Sequence, residues 1–216
     1  MKKHIICFGD SNTHGYCADP SDCADGGDRF NEQERWTCLL QQKLGEEYLV
    51  LEEGLSGRTT VFDDPTEEGL AGIDVLYPVL KTHKPVDLLI VMLGTNDSKT
   101  YLGQNAASVT LGLERLLTRA MTLDVWADRP NILVIAPPPV GEGIRNHEFF
   151  GFMGENSLTV TRALAACYEP LCRRLCCHFL DAQGVAEFNH VDCMHLTKKG
   201  HAQLAQTLAE LVPTLV

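Results

Sequence analysis

Short β-branched runs alternate along this chain with stretches whose apolar residues recur at helical spacing. The run His4-Ile5-Ile6-Cys7-Phe8 reads as a buried strand that stops at Gly9. Arg35 to Gly45 has helical spacing and a terminal glycine, which predicts a helix with a glycine C-cap, and Tyr48 to Leu51 follows as a second strand. Leu70, Ile73, Leu76, Tyr77 and Leu80 mark a helix over 66–83, broken by Pro85. Val86 to Leu93 is the most continuous apolar run, as expected of a central parallel strand covered on both faces. A helix over 105–123, a strand over 131–136 ended by Pro137-Pro138-Pro139, a helix over 158–176 and a strand over 178–180 follow. The last helix, 198–211, is capped by Thr197. The alternation predicts an α/β fold of three layers, a parallel sheet between two layers of helices.

Two stretches fall outside the pattern. Residues 17–31 are rich in Asp, Gly and Cys and read as a loop near the end of the first strand. Residues 140–155 hold Phe149, Phe150, Phe152 and Met153 among glycines, too long for an ordinary connection. That stretch is either a lid, binding wall or oligomer contact, or a satellite hydrophobic cluster.

At 216 residues the chain is expected to form one domain, 1–216. Its 18 Lys and Arg against 29 Asp and Glu give a net charge of -11, which repels nucleic-acid backbones and anionic membrane surfaces. A small neutral or apolar-bodied substrate is the expected partner. With no apolar stretch of signal-peptide or membrane-spanning length, the expected location is cytoplasmic. The nine cysteines are an odd number, and Cys7, Cys38, Cys167 and Cys172 fall at apolar-periodic positions, so they read as buried thiols of a reducing compartment. Cys172, Cys176, Cys177 and His178 look superficially like metal ligands, but no second paired cluster accompanies them and no metal is expected. Neither a Gly-rich dinucleotide fingerprint nor a phosphate-binding Lys-Ser/Thr loop is present, so no cofactor is expected.

Polar residues gather where the apolar runs stop: Ser11 after the first strand, Gly57 after the second, Asn96 after the third, and Asp192 with His195 near the C-terminus. In an open α/β sheet that edge is where ligands bind. Each residue alone is unremarkable. The blocks Gly9-Asp10-Ser11, Ser56-Gly57, Gly94-Thr95-Asn96-Asp97 and Asp192-x-x-His195, in this order, resemble those of the SGNH hydrolases, a branch of the GDSL esterase and lipase superfamily. The resemblance implies a flavodoxin-like fold with a five-stranded parallel sheet. It implies Ser11 as nucleophile, His195 as base and Asp192 as the carboxylate that orients it. It also implies an oxyanion hole made by the backbone N–H groups of Ser11 and Gly57 and the side-chain amide of Asn96. The stretch from Glu53 to Thr60, followed by Asp63-Asp64-Pro65, is most similar to the small oligomeric arylesterase and acyltransferase subgroup, which implies a homo-oligomer.

These residue types suit acyl transfer. A serine hydroxyl needs a base within hydrogen-bond reach, and imidazole titrates nearest to working pH. A carboxylate on its other nitrogen fixes the tautomer, and donors aimed at the developing oxyanion favour the transition state over the substrate. Asp10, Asn12, His14, Trp36, Thr95, Phe149, Phe150 and Phe152 are candidates for the substrate pocket, with core packing the alternative for Trp36 and structural support for Asp10. Asp97 reads as a support, His201 as packing or surface, and Arg58 as a solvated or carboxylate-paired side chain. The leading expectation is a hydrolase of short-chain carboxylic esters working through an acyl-enzyme. The alternative is a carbohydrate deacetylase removing acetyl groups from sugars. A more distant one is a non-catalytic flavodoxin-like binding protein, whose mark would be a missing member of the constellation.

Overall fold

The computed structural model describes residues 1–216. Strand β1 (Lys3–Gly9) lies between β2 (Tyr48–Gly54) and β3 (Leu88–Met92), and β4 (Ile132–Ala136) and β5 (His178–Asp181) extend the sheet beyond β3. The order is β2-β1-β3-β4-β5, with all neighbours parallel. The strands read as continuous apolar runs because both faces are covered. Ile6, Phe8, Leu89, Val91 and Val134 point to one face, while Ile5, Cys7, Leu88, Ile90 and Leu133 point to the other. Helices α3 (Gly72–Thr82), α4 (Ala106–Met121) and α5 (Phe150–Leu175) close the first face with Leu76, Leu113, Leu164 and Tyr168. Helices α2 (Trp36–Leu44) and α6 (Lys198–Leu211) close the second with Trp36, Leu40, Leu204 and Leu208. The result is the three-layer α/β/α arrangement.

Because β1 is followed in sequence by a neighbour on one side and then by a neighbour on the other, the crossovers diverge at its carboxyl end. That divergence opens a crevice between the ends of β1 and β3. The short helix α1 (Ser11–His14) starts in that crevice.

Two elements depart from the sequence reading. The helix expected over 66–83 begins only at Gly72. Thr59 pairs with Ala71 as an isolated bridge and its N–H donates to the Leu70 carbonyl at 2.9 Å, which holds residues 70–71 extended. The helix expected from Leu158 begins eight residues earlier, at Phe150, with a kink at Gly154 (φ 59°, ψ -174°). A Cβ at Gly154 would stand 2.2 Å from the Thr100 hydroxyl, so only glycine allows α5 to pass Thr100 there. The 140–155 stretch is therefore a helical turn (Glu142–Asn146) followed by the start of α5, and Met153 is buried with Val140, Ile144 and Leu158 in a satellite cluster. No helix is long and apolar enough to cross a membrane. All nine cysteines are free thiols.

Candidate active site

β1 ends at Gly9, and Asp10 caps α1 by accepting the Asn12 N–H at 3.0 Å, which places Ser11 at the first position of the helix. The α1 turn stops after four residues at Gly15, which is left-handed. Ser11 keeps 9% of its surface, enough for its hydroxyl to show at the crevice floor.

His195 reaches that hydroxyl from the loop between β5 and α6. Asn189 folds the loop: its Oδ1 accepts the N–H groups of Val191 and Asp192, and its Nδ2 donates to Asp192 Oδ1 at 2.9 Å and to the His195 carbonyl at 2.7 Å. Asp192 Oδ1 also accepts the N–H groups of Met194 (3.0 Å) and His195 (3.1 Å). Oδ2 is left for His195 Nδ1 at 2.6 Å, and His195 Nε2 lies 2.7 Å from Ser11 Oγ. Asp192 is wholly buried, which alone would push its carboxyl up. The hydrogen bond and charge of His195, with the other donors, instead hold it down at about 2. An ionised carboxylate on Nδ1 sets the tautomer that leaves Nε2 free to accept the serine proton. The Tyr16 ring packs on the imidazole with centroids 4.5 Å apart.

The opposite side of the crevice comes from the loops after β2 and β3. Gly57 sits at φ 85° with its α-carbon against Leu70, where a Cβ would fall 2.9 Å from a Leu70 methyl. The N–H groups of Ser11 and Gly57 donate to nothing else in the protein. Asn96 Nδ2 donates to the Arg58 carbonyl at 3.1 Å, which leaves its second N–H for the crevice. Its neighbour Asp97, wholly buried, accepts the Thr60 N–H at 2.9 Å and the Thr60 hydroxyl. These bonds tie the two loops together at both ends of Arg58-Thr59-Thr60. Burial pushes the Asp97 carboxyl up to about 6, and Asp10 likewise to about 6. Arg58 is buried over the Phe8 ring and donates to the Gly9 carbonyl at 2.9 Å, so it braces the end of β1 and is not a surface charge.

Together these loops enclose a cleft of about 290 Å³. Ser11, Gly57, Asn96 and His195 line it with Tyr16, Phe149, Phe152 and Met194 as apolar neighbours and Ser56, Glu67 and the buried Lys99 as further polar ones. Lys99 is held by the buried Asp64 carboxylate at 2.6 Å. A larger hollow of about 590 Å³ lies at the opposite, amino edge of the sheet around Lys3, Asp87 and His178.

The structure thus brings Ser11, Asp192, His195, Gly57 and Asn96 to one place, but it redistributes the pocket candidates. Phe149 and Phe152 line the cleft, whereas Phe150 does not, because residues three apart share a helical face and immediate neighbours do not. Asp10 is buried beneath the α1 turn as its cap. Asn12 is buried and turned toward the His195 loop. His14 closes α1 on the β2 side, half-buried against Gly54. Trp36 is fully buried on the core face of α2, its indole N–H donating to the Asn12 carbonyl at 3.0 Å. Thr95 is buried before the Asn96 turn. His201 is wholly buried in α6, where burial drives its ring down to about 3. Tyr16, Met194, Glu67 and Lys99 were not anticipated. Tyr16 adjoins and Met194 lies within a recognisable block, whereas Lys99 sits on an irregular segment and Glu67 in the stretch that reads as the start of a helix but precedes Gly72, where α3 begins.

The sequence profile of the GDSL-like lipase/acylhydrolase family matches residues 7–203. The solved structure of an M. smegmatis aryl esterase is 38% identical, with 99% of this chain and 100% of that one covered and a TM-score of 0.89. A carbohydrate acetylesterase from Sinorhizobium meliloti is 31% identical over the full length of both chains, also with a TM-score of 0.89. A member of the lipolytic G-D-S-L family from Veillonella parvula, 17% identical over 99% of this chain and 100% of that one, shares the fold at a TM-score of 0.69. No curated protein matches the chain.

Proposed function

Starting from a chain that belongs to the GDSL-like lipase/acylhydrolase family, we propose a serine esterase that hydrolyses short-chain carboxylic esters through an acyl-enzyme on Ser11. The observation that carries the reading is the unbroken line of hydrogen bonds from Asp192 through His195 to Ser11 Oγ. Ser11 Oγ attacks the acyl carbon while its proton passes to His195 Nε2. Asp192 stays ionised and stabilises the imidazolium. The oxygen that gains charge meets the N–H groups of Ser11 and Gly57 and the free N–H of Asn96, which are already in place. The imidazolium then gives its proton to the leaving alcohol or phenol. Water, deprotonated by the same nitrogen, releases the acid.

The small cleft with Tyr16, Phe149 and Phe152 in its walls supports a short acyl group on an aromatic or apolar alcohol. Turnover of p-nitrophenyl acetate, butyrate and octanoate tests this. Activity should fall with chain length, vanish in Ser11→Ala, and a serine-directed phosphonate should leave one adduct, on Ser11. A wild type that neither turns over nor labels would refute the assignment. A second reading, removal of acetyl groups from sugars, draws on the acetylesterase relative and on the polar lining residues Ser56, Glu67 and Lys99. Faster acetate release from an acetylated sugar than from p-nitrophenyl acetate, at equal concentration, would favour it.

A further inference from the structure

The proposed nucleophile and base lie 184 positions apart in sequence, one at the start of α1 and the other on the loop before α6, yet their side chains stand at hydrogen-bond distance. Something has to fix that separation. The residue after the nucleophile, Asn12, is 2% exposed and takes no part in the cleft. Its Oδ1 accepts the Leu196 N–H at 2.9 Å, and its Nδ2 donates to the Met194 carbonyl at 3.4 Å. The two bonds grip the peptide groups on either side of His195. Only one orientation of the carboxamide satisfies both, since a flipped amide would set donor against donor and acceptor against acceptor.

Asn12 is itself anchored. Its carbonyl receives the Trp36 indole N–H at 3.0 Å, and the Trp36 backbone N–H donates to His201 Nδ1 at 3.2 Å. The α1 turn is thus tied to the helical layer of α2 and α6, while its next side chain holds the loop that leads into α6. Apart from the Ser11–His195 contact, the side-chain bonds from this turn to the 189–197 loop are those of Asn12. We propose that Asn12 is a positioning residue that sets the Ser11–His195 distance through the backbone of Met194 and Leu196. The role rests on the esterase reading of Ser11 and His195 but assigns them no new chemistry. Near-attack geometry is steep: a displacement of about 1 Å costs on the order of a hundredfold in rate.

Two near-isosteric variants test this. Asn12→Leu removes both bonds and keeps the volume. Asn12→Asp keeps the acceptor for Leu196 and loses the donor to Met194, at the cost of a buried charge. Each is read for kcat and KM on p-nitrophenyl acetate at the plateau of its own pH profile, for Ser11 phosphonylation rate, and for melting temperature. For Asn12→Leu, kcat and phosphonylation should fall together by about ten- to a hundredfold with KM within about twofold. Asn12→Asp should be the more active of the two and the less stable, an inversion that a purely structural role does not produce. If Asn12→Leu fails to fold, a kcat loss without a KM change in Asn12→Asp supports the proposal. Wild-type labelling rates in the folded variants, or activities that simply follow melting temperature, would overturn it. A wild type whose Ser11 does not label would instead remove the esterase reading itself.

Discussion

Asp192 and Asp97 are both wholly buried beneath the cleft, the first bonded to His195 and the second to Thr60, yet their acidities diverge. Burial pushes each carboxyl up. Asp192 meets His195 and three further N–H donors and is held down at about 2, whereas Asp97 has only Thr60 to donate to it and rises to about 6. Burial therefore does not decide the state of an acid; the donors and cations brought to it do. The difference matches the two tasks. Beside the imidazole a fixed negative charge is required. Between the loops after β2 and β3 an acceptor that holds Thr60 in place suffices.

The comparison breaks most visibly at Asp192. Asp192→Asn keeps an oxygen in the loop but withdraws the charge and offers an amide to Nδ1, so the tautomer that leaves Nε2 free is no longer selected. By analogy with other Ser-His-Asp sites, kcat on p-nitrophenyl acetate should fall about 10⁴-fold with an unaltered circular dichroism spectrum. A loss below about tenfold would show that His195 does not depend on this charge. On the other side, Asn96→Ala removes the proposed donor to the oxyanion and the bond to the Arg58 carbonyl. A fall of about 10²- to 10³-fold in kcat with a nearly constant KM is expected. An increase confined to KM would place Asn96 in ground-state binding instead.

The sheet and the gathering of polar residues at its edge are legible in the sequence because apolar runs such as His4–Phe8 and Val86–Leu93 end abruptly in Gly-Asp-Ser and Gly-Thr-Asn-Asp, so strand ends and polar groups coincide. What was not legible depends on contacts distant in sequence. Nothing around Leu70 reveals that Thr59 pairs with Ala71 and delays α3. The glycines at 151 and 154 make the start of α5 read as a loop, although Gly154 is the kink at which α5 passes Thr100 and Met153 is buried in the satellite cluster. Asn12 reads as a wall residue because its neighbour is the proposed nucleophile. Its actual partners are backbone groups 182 and 184 positions away, which leave no mark on residue type.

The smallest effect is one of stability, and its sign separates the two carboxylates. Asp97 ionises at about 3.8 in an unstructured chain and at about 6 when folded. Between those values the folded protein keeps a proton that the unfolded chain has lost, so Asp97 makes stability fall as pH rises from about 4 to about 6. Asp192 acts oppositely and in a lower window: its contribution is present above about 4 and is lost as pH falls toward about 2. Asp97→Asn replaces the first acid with a permanently neutral group. The urea-unfolding free energy of the variant, relative to the wild type, should therefore rise across that interval by up to about 1 kcal/mol per pH unit and level off above it. A difference that is flat from pH 4 to pH 7 would mean that Asp97 ionises as readily in the fold as outside it. The contrast with Asp192 would then lie in hydrogen-bond geometry alone.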